Sequence, residues 1–215
     1  MNLPPFIVIE GLDGAGTTTQ TEAVARALAE GGQAVSVSRE PSDGPVGMLI
    51  RQMLSRRITV RDEAGEHRAV SRETLALLFA ADRLDHLEAQ VEPALARGEV
   101  AISDRYYHSS LAYQGDVDGE DSADFDWVEG LNSRARAPDL TVFLEASADL
   151  CMQRLSGRGE RDLYETRQKL ERLERRYDEV MKLLASRGES ILRLDASRPP
   201  EELTRRIVAA VEDLL

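Results

Sequence analysis

The residues best equipped for chemistry form one short segment, Gly11-Leu12-Asp13-Gly14-Ala15-Gly16-Thr17-Thr18, between an apolar β-branched run and a stretch of helical spacing. Glycines in such a turn let successive backbone N–H groups point into one concavity, and the start of a helix adds positive partial charge. That chemistry is phosphate binding. Gly11, Gly14, Ala15, Gly16, Thr17, Thr18 and Thr19 are the expected cradle for a nucleoside triphosphate, with the Thr18 hydroxyl set to coordinate Mg2+. The pattern G-x-x-x-x-G-K-[ST] wants lysine where this chain has Thr17. A threonine hydroxyl donates one hydrogen bond and carries no charge. A charge-assisted contact contributes about 1.5–3 kcal/mol, and more where charge develops in a transition state. Slower chemistry is therefore expected unless an arginine from elsewhere substitutes.

Other reactive residue types sit at the ends of apolar runs. Asp104-Arg105 closes the run Val100–Ser103, so a carboxylate and a guanidinium emerge together at a strand's carboxyl end. The carboxylate can hold a metal-bound water or orient an attacking phosphate, and the arginine can neutralise phosphoryl oxygens. Arg39 leaves an earlier run in the same way. Phe79 and Arg83 are four residues apart, on one face of a long helical stretch. Arg154-Leu155-Ser156-Gly157-Arg158-Gly159-Glu160-Arg161-Asp162 reads as a short arginine-rich lid between helices. His67, His86 and His108 have no metal-ligand spacing.

These residues need a frame that brings strand ends together. Phe6–Glu10, Ala34–Ser38, Val100–Ser103, Leu140–Glu145 and Ile191–Leu194 read as strands. Thr18–Glu30, Val46–Ser55, Arg72–Arg97, Phe125–Ala135, Ala148–Leu155, Tyr164–Arg187 and Pro200–Leu215 read as helices. The alternation predicts an α/β fold with a five-stranded parallel sheet flanked by helices, three layers deep, in which ligands collect at the carboxyl ends of the strands. A chain of 215 residues with no internal repeat or linker reads as a single domain, 1–215, with a mobile lid around 154–165. The net charge of −12 argues against nucleic-acid and membrane partners. No apolar run is long enough to span a bilayer. The single Cys151 and the absence of a signal-like N-terminus predict a cytoplasmic protein. Of 27 basic residues only Lys169 and Lys182 are lysines, so phosphate contacts fall to arginine.

Six segments in order carry a resemblance to the thymidylate kinases over nearly the whole chain. They are Glu10–Gly16; Arg39-Glu40-Pro41; Leu78-Phe79-Ala80-Ala81-Asp82-Arg83; Asp104-Arg105-Tyr106 with Ser109-Ser110-Leu111-Ala112-Tyr113-Gln114; Pro138-Asp139-Leu140-Thr141; and Asp195-Ala196-Ser197. The resemblance implies a P-loop kinase that moves the γ-phosphate of ATP, with Mg2+, onto dTMP to give dTDP. It also implies a homodimer packed through long helices. It gives Arg39 a grip on the 5′-phosphate of dTMP, Phe79 a stack on thymine and Arg83 a donor to its O4 edge, which disfavours cytosine. Tyr113 lies under the sugar, Ser110 and Gln114 are polar contacts, and Asp13 is the acidic residue near the transferred phosphate. Thr18, Asp104 and Glu165 stand nearest the metal, and Tyr164-Glu165 is the pair at the lid's end. Because the loop offers Gly14 and Ala15, the catalytic cation should come from the lid, with Arg158 and Arg161 as candidates beside Asp13, Asp104 and Arg105.

The chain also departs from the family pattern. Thr17 replaces the loop lysine, Leu163 stands where many bacterial relatives have arginine, and Ser42-Asp43-Gly44-Pro45 replaces a glycine-rich continuation. A second reading follows, that of a dTMP- and ATP-binding paralogue with weak or no turnover. A nucleoside kinase is disfavoured by Arg39 and Arg105, which suit a substrate already bearing phosphate.

Overall fold

The structure is a computed structural model describing residues 4–115, 125–155 and 163–215, with the side chains of 163–166 left aside. Strand β1 (Phe6–Gly11) is buried at every position and lies at the centre of a parallel sheet. A strand with helices on both faces can be a continuous apolar run, and Phe6-Ile7-Val8-Ile9 is one. Its period of two divides the core. Ile7 and Ile9 pack with Val24 and Leu28 of α1 (Thr17–Glu30) and with Leu203, Ile207 and Val211 of α9 (Pro200–Glu212). Phe6 and Val8 pack on the other side with Leu87, Val91, Leu111, Val128, Val180 and Leu184.

The remaining strands are β2 (Val35–Arg39), β5 (Val100–Asp104), β6 (Leu140–Glu145) and β7 (Ile191–Asp195), in the order β2-β5-β1-β6-β7. This is the expected five-stranded parallel sheet with helices on both faces. A small antiparallel pair, β3 (Val60–Arg61) and β4 (His67–Arg68), had no counterpart in the sequence reading. Two-residue strands are too short for any alternation to register.

The helices are α2 (Pro45–Leu54), α3 (Arg72–His86), α4 (Glu92–Ala96), α5 (Tyr107–Tyr113), α6 (Phe125–Leu131), α7 (Ala148–Leu155) and α8 (Leu163–Ser186), besides α1 and α9. The expected helix Arg72–Arg97 is one path with a fault in it. After α3 comes a five-residue turn of π-helix, Leu87–Val91, and then α4. Pro93 supplies the reason: it has no N–H to continue the ladder and its ring crowds the carbonyl of Ala89, which the wider turn accommodates. The first turn of α3 is capped by Ser71, whose hydroxyl accepts from the N–H of Thr74 at 3.2 Å. Helix α6 ends at Leu131, short of the expected Ala135, and α5 was not anticipated as a helix.

Candidate active site

Gly14 and Gly16 have φ of +92° and +102°, a region that glycine enters without strain. A Cβ on Gly14 would lie 3.1 Å from the carbonyl oxygen of Cys151. The N–H of Ala15 donates to the carbonyl of Leu12 at 2.9 Å and closes the turn. The first N–H groups of α1 have no intrahelical acceptor and open toward the concavity. Thr17 is buried, whereas Thr18 is exposed and its hydroxyl donates to Oδ2 of Asp104 at 2.5 Å. Asp104 is itself buried, and its Oδ1 has no hydrogen-bond partner among the described residues. A hydroxyl beside a carboxylate with an unsatisfied oxygen is a hard-oxygen pair that fits Mg2+.

Sheet register explains the meeting. Asp104 ends β5 opposite Ile9 of β1 and Arg39 of β2. The next residue, Arg105, has φ +74°, uncommon for a side chain with a Cβ. Its surroundings hold it there: its N–H donates to Ile9 O at 2.9 Å and its carbonyl accepts from Ser103 Oγ at 2.8 Å. Strain of this kind, about 1–3 kcal/mol, persists where the structure over-determines it. The guanidinium then reaches Asp13 Oδ1 at 2.8 Å, Tyr177 Oη at 3.1 Å and Ser109 Oγ at 3.2 Å, and lies 5.8 Å from the ring centre of Tyr113. Burial opposes its charge, but Tyr177, Tyr113, Asp13 and Glu10 outweigh burial and hold Arg105 well above the ordinary arginine value. Glu10 anchors this corner. Its carboxylate is fully buried and accepts from the N–H of Tyr106 (2.7 Å) and Ser109 (3.1 Å) and from the hydroxyls of Ser109 (2.8 Å) and Tyr177 (3.2 Å).

A second cluster grows from the end of β2. Arg39 points into an open region and pairs with Asp43 at 2.8 Å. The same Asp43 oxygen accepts from Arg51 of α2 at 2.5 Å, and Arg51 also donates to the carbonyls of Pro41 and Ser42. The Glu40–Pro41 bond is cis. Glu40 turns inward, where Oε2 accepts from Nε of Arg83 at 3.0 Å and from its Nη2 at 2.5 Å, and Oε1 faces Nδ1 of His86 at 3.1 Å. Arg83 is only 1% exposed. Its other Nη2 hydrogen goes to Ser110 Oγ at 3.1 Å, and Nη1 donates to Oδ1 of Asn132. Among the described residues, Asn132 is the one acceptor that Nη1 meets. Phe79 lies half-buried one turn earlier on α3.

Thus Thr18 meets Asp104, Arg105 meets Asp13 and Tyr113, and Arg83 meets Ser110. Arg39 is tied to that edge through the β2–β5 register, while Gln114 is buried at the end of α5, its carbonyl accepting from Nη1 of Arg72 at 2.6 Å. Arg158 and Arg161 lie outside the described residues, as do the side chains of Tyr164 and Glu165. Sequence reasoning missed Glu10 as an anchor, although an acidic residue closing the run FIVI was visible. It also missed Tyr177 and Asn132, which arrive from distant elements without a local signal, and Arg154, which the sequence placed in the arginine-rich lid segment but which lies in the last turn of α7 (Ala148–Leu155) against the loop.

A central strand feeding a glycine loop and helix, with a Thr–Asp pair at the neighbouring strand end and arginines facing it, defines a P-loop phosphotransferase. The two-arginine, aromatic side of the cleft then narrows the class to kinases acting on a nucleoside monophosphate. The chain belongs to the thymidylate kinase family, whose model, described as thymidylate kinase, matches residues 9–207. It is similar to a protein named probable thymidylate kinase from Thermococcus gammatolerans, 38% identical over 96% of this chain and 95% of that one. It is also similar to the probable thymidylate kinases of Thermococcus kodakarensis, 36% identical over 98% of both chains, and of Pyrobaculum calidifontis, 34% identical over 96% and 95%.

Proposed function

We propose that the chain transfers the γ-phosphate of ATP to dTMP in line, without a covalent intermediate. The observation that carries this is the single edge of the sheet where the Thr18–Asp104 pair stands beside Arg39 and Arg105. Thr18 and Asp104 would hold Mg2+, which supplies charge neutralisation between the donor phosphates when bound. Arg105 is aimed and charged, and it would take phosphoryl oxygens in exchange for Asp13. Arg39 would take the 5′-phosphate in exchange for Asp43. Phe79 would stack the base, with Arg83 directed to O4, and Tyr113, Ser110 and Gln114 would line the sugar and base. On resemblance, Arg158, Arg161, Tyr164 and Glu165 close over the nucleotides from the lid. A coupled assay across dTMP, dUMP, dCMP and dGMP tests the reading. Turnover of dTMP well above the others supports it, and activity confined to a substrate other than thymidylate overturns it.

Thr17 favours a second reading, tight binding of dTMP and ATP with little turnover. Calorimetric binding of dTMP without product formation would select it. We also infer a homodimer in the cytoplasm. Leu77 and Leu84, 52% and 43% exposed, lie with Ala81 in one row on α3, an apolar stripe that a second copy would cover. Sedimentation of Leu84→Glu should shift toward monomer, and an unchanged dimer excludes that face. No helix among the described residues is long and apolar enough to cross a membrane.

A further inference from the structure

Thr17 leaves the phosphate loop without its own cation, yet a guanidinium is bonded to the loop from outside. Arg154, in the last turn of α7, donates through Nη1 to the carbonyls of Gly14 at 3.2 Å and Ala15 at 3.0 Å. Through Nη2 it reaches the carbonyl of Ala196, just past β7, at 2.9 Å. In a trans peptide the carbonyl and the N–H point in opposite directions. The Gly14 carbonyl belongs to a peptide whose N–H, on Ala15, is already spent on Leu12. The Ala15 carbonyl is different. Its partner N–H belongs to Gly16, faces away from Arg154, and makes no hydrogen bond among the described residues.

A cation on the carbonyl side of a peptide draws electron density toward the oxygen and strengthens the N–H on the other side as a donor. Polarisation along hydrogen-bonded chains adds about 10–30% per bond, and the guanidinium's own charge raises the potential of the concavity. The other cation in contact with the loop among the described residues, Arg105, is on Asp13, at the side where the proposed function seats the second substrate.

The geometry points to Arg154 as the positioning residue that supplies, from behind the loop, the positive charge that the missing lysine would supply from within. It acts on bound phosphate through the Gly16 N–H. The inference rests on the loop being the triphosphate site. It also explains how a loop ending Gly16-Thr17-Thr18 can remain an anion site in a chain of net charge −12.

Four proteins test it: wild type, Arg154→Gln, Thr17→Lys and the double variant. Each is measured for Mg·ATP affinity by calorimetry and for kcat, KM of ATP and KM of dTMP. In the Thr17 background, Arg154→Gln should weaken Mg·ATP binding and kcat/KM for ATP about tenfold, ~1.4 kcal/mol, while KM for dTMP stays within about twofold. In the Thr17→Lys background the same change should cost less than about threefold, because the inner cation has returned. A fifth protein, Arg154→Lys, which keeps the charge but cannot span both carbonyls and Ala196, should recover part of the loss. Equal losses in both backgrounds would assign Arg154 to nucleoside contact or general support and overturn the proposal, as would no loss in either. Failure of all four proteins to bind Mg·ATP would instead overturn the reading of the loop, and the proposal with it.

Discussion

At the scale of the residue, the proposed phosphate contacts rest on two arginines that are each already held by an exposed carboxylate that a phosphate could replace. Asp13 holds Arg105 and Asp43 holds Arg39, both carboxylates exposed enough to swing away. The arrangement keeps two guanidinium groups in place before the substrate arrives, which lowers the ordering cost of binding. Thr17 is the exception, a buried hydroxyl where a point charge is expected. Replacing it restores a charge-assisted contact worth about 1.5–3 kcal/mol, so Thr17→Lys should raise kcat/KM for ATP roughly ten- to a hundredfold. A steady-state assay at saturating dTMP checks this. No gain would mean that the charge is already fully supplied by another residue. Cys151 sits behind the loop, and burial pushes its thiol up to about 11, which keeps it protonated at neutral pH.

At the scale of the element, the proposed thymine side of the cleft depends on a joint between the end of β2 and α3. Glu40 is the pivot: it is buried with Arg83, and the two form an ion pair with side chains 3% and 1% exposed. Removing one partner of such a pair leaves an uncompensated buried charge, so Glu40→Ala should destabilise the protein by about 3–5 kcal/mol. Denaturant unfolding measures it. The same variant should raise KM for dTMP more than KM for ATP, because Arg83 would turn from its fixed orientation. A loss near zero would show the pair to be dispensable. How far the sequence reached is clear at this joint. Strand identity, the parallel sheet and the arginines at strand ends were legible, because continuous apolar runs and helical spacing are local signals, whereas the strand order β2-β5-β1-β6-β7 was not. The Arg83–Glu40–Asn132 contacts span separations in sequence that no local pattern encodes. The fault after His86 was legible in principle, since Pro93 stood inside a run read as one helix. Helix α5 was hidden because five of its seven residues, Tyr107–Tyr113, are aromatic or polar, and Leu111 and Ala112 alone make no apolar stripe of their own.

At the scale of the whole molecule, acid stability and the active site share one support. Glu189, between α8 and β7, accepts from the hydroxyl of Tyr107 at 2.6 Å and faces Nε2 of His108 at 3.1 Å, at the start of α5. Burial alone would raise its carboxyl, but the hydrogen bond and charge of His108 and the Tyr107 hydroxyl outweigh burial and hold it below the ordinary value of 4.5. A carboxylate with a depressed folded-state pKa contributes stability above its unfolded value and loses that contribution as the pH falls through the folded one. Asp43, Asp178 and Asp195 are also lowered, but they are exposed and solvent screens their contribution. Glu189 is only 19% exposed and ties the far edge of the sheet to the helix that follows Arg105. The unfolding midpoint of the wild type should therefore drop between roughly pH 5 and pH 3, and Glu189→Gln should flatten that drop while lowering the plateau at pH 7. Because His108 and Tyr107 adjoin the Tyr106–Ser109 turn held by Glu10, the variant should also lower kcat at neutral pH. A Glu189→Gln protein with an unchanged acid slope and full turnover would show that α5 is held by the Glu10 contacts alone.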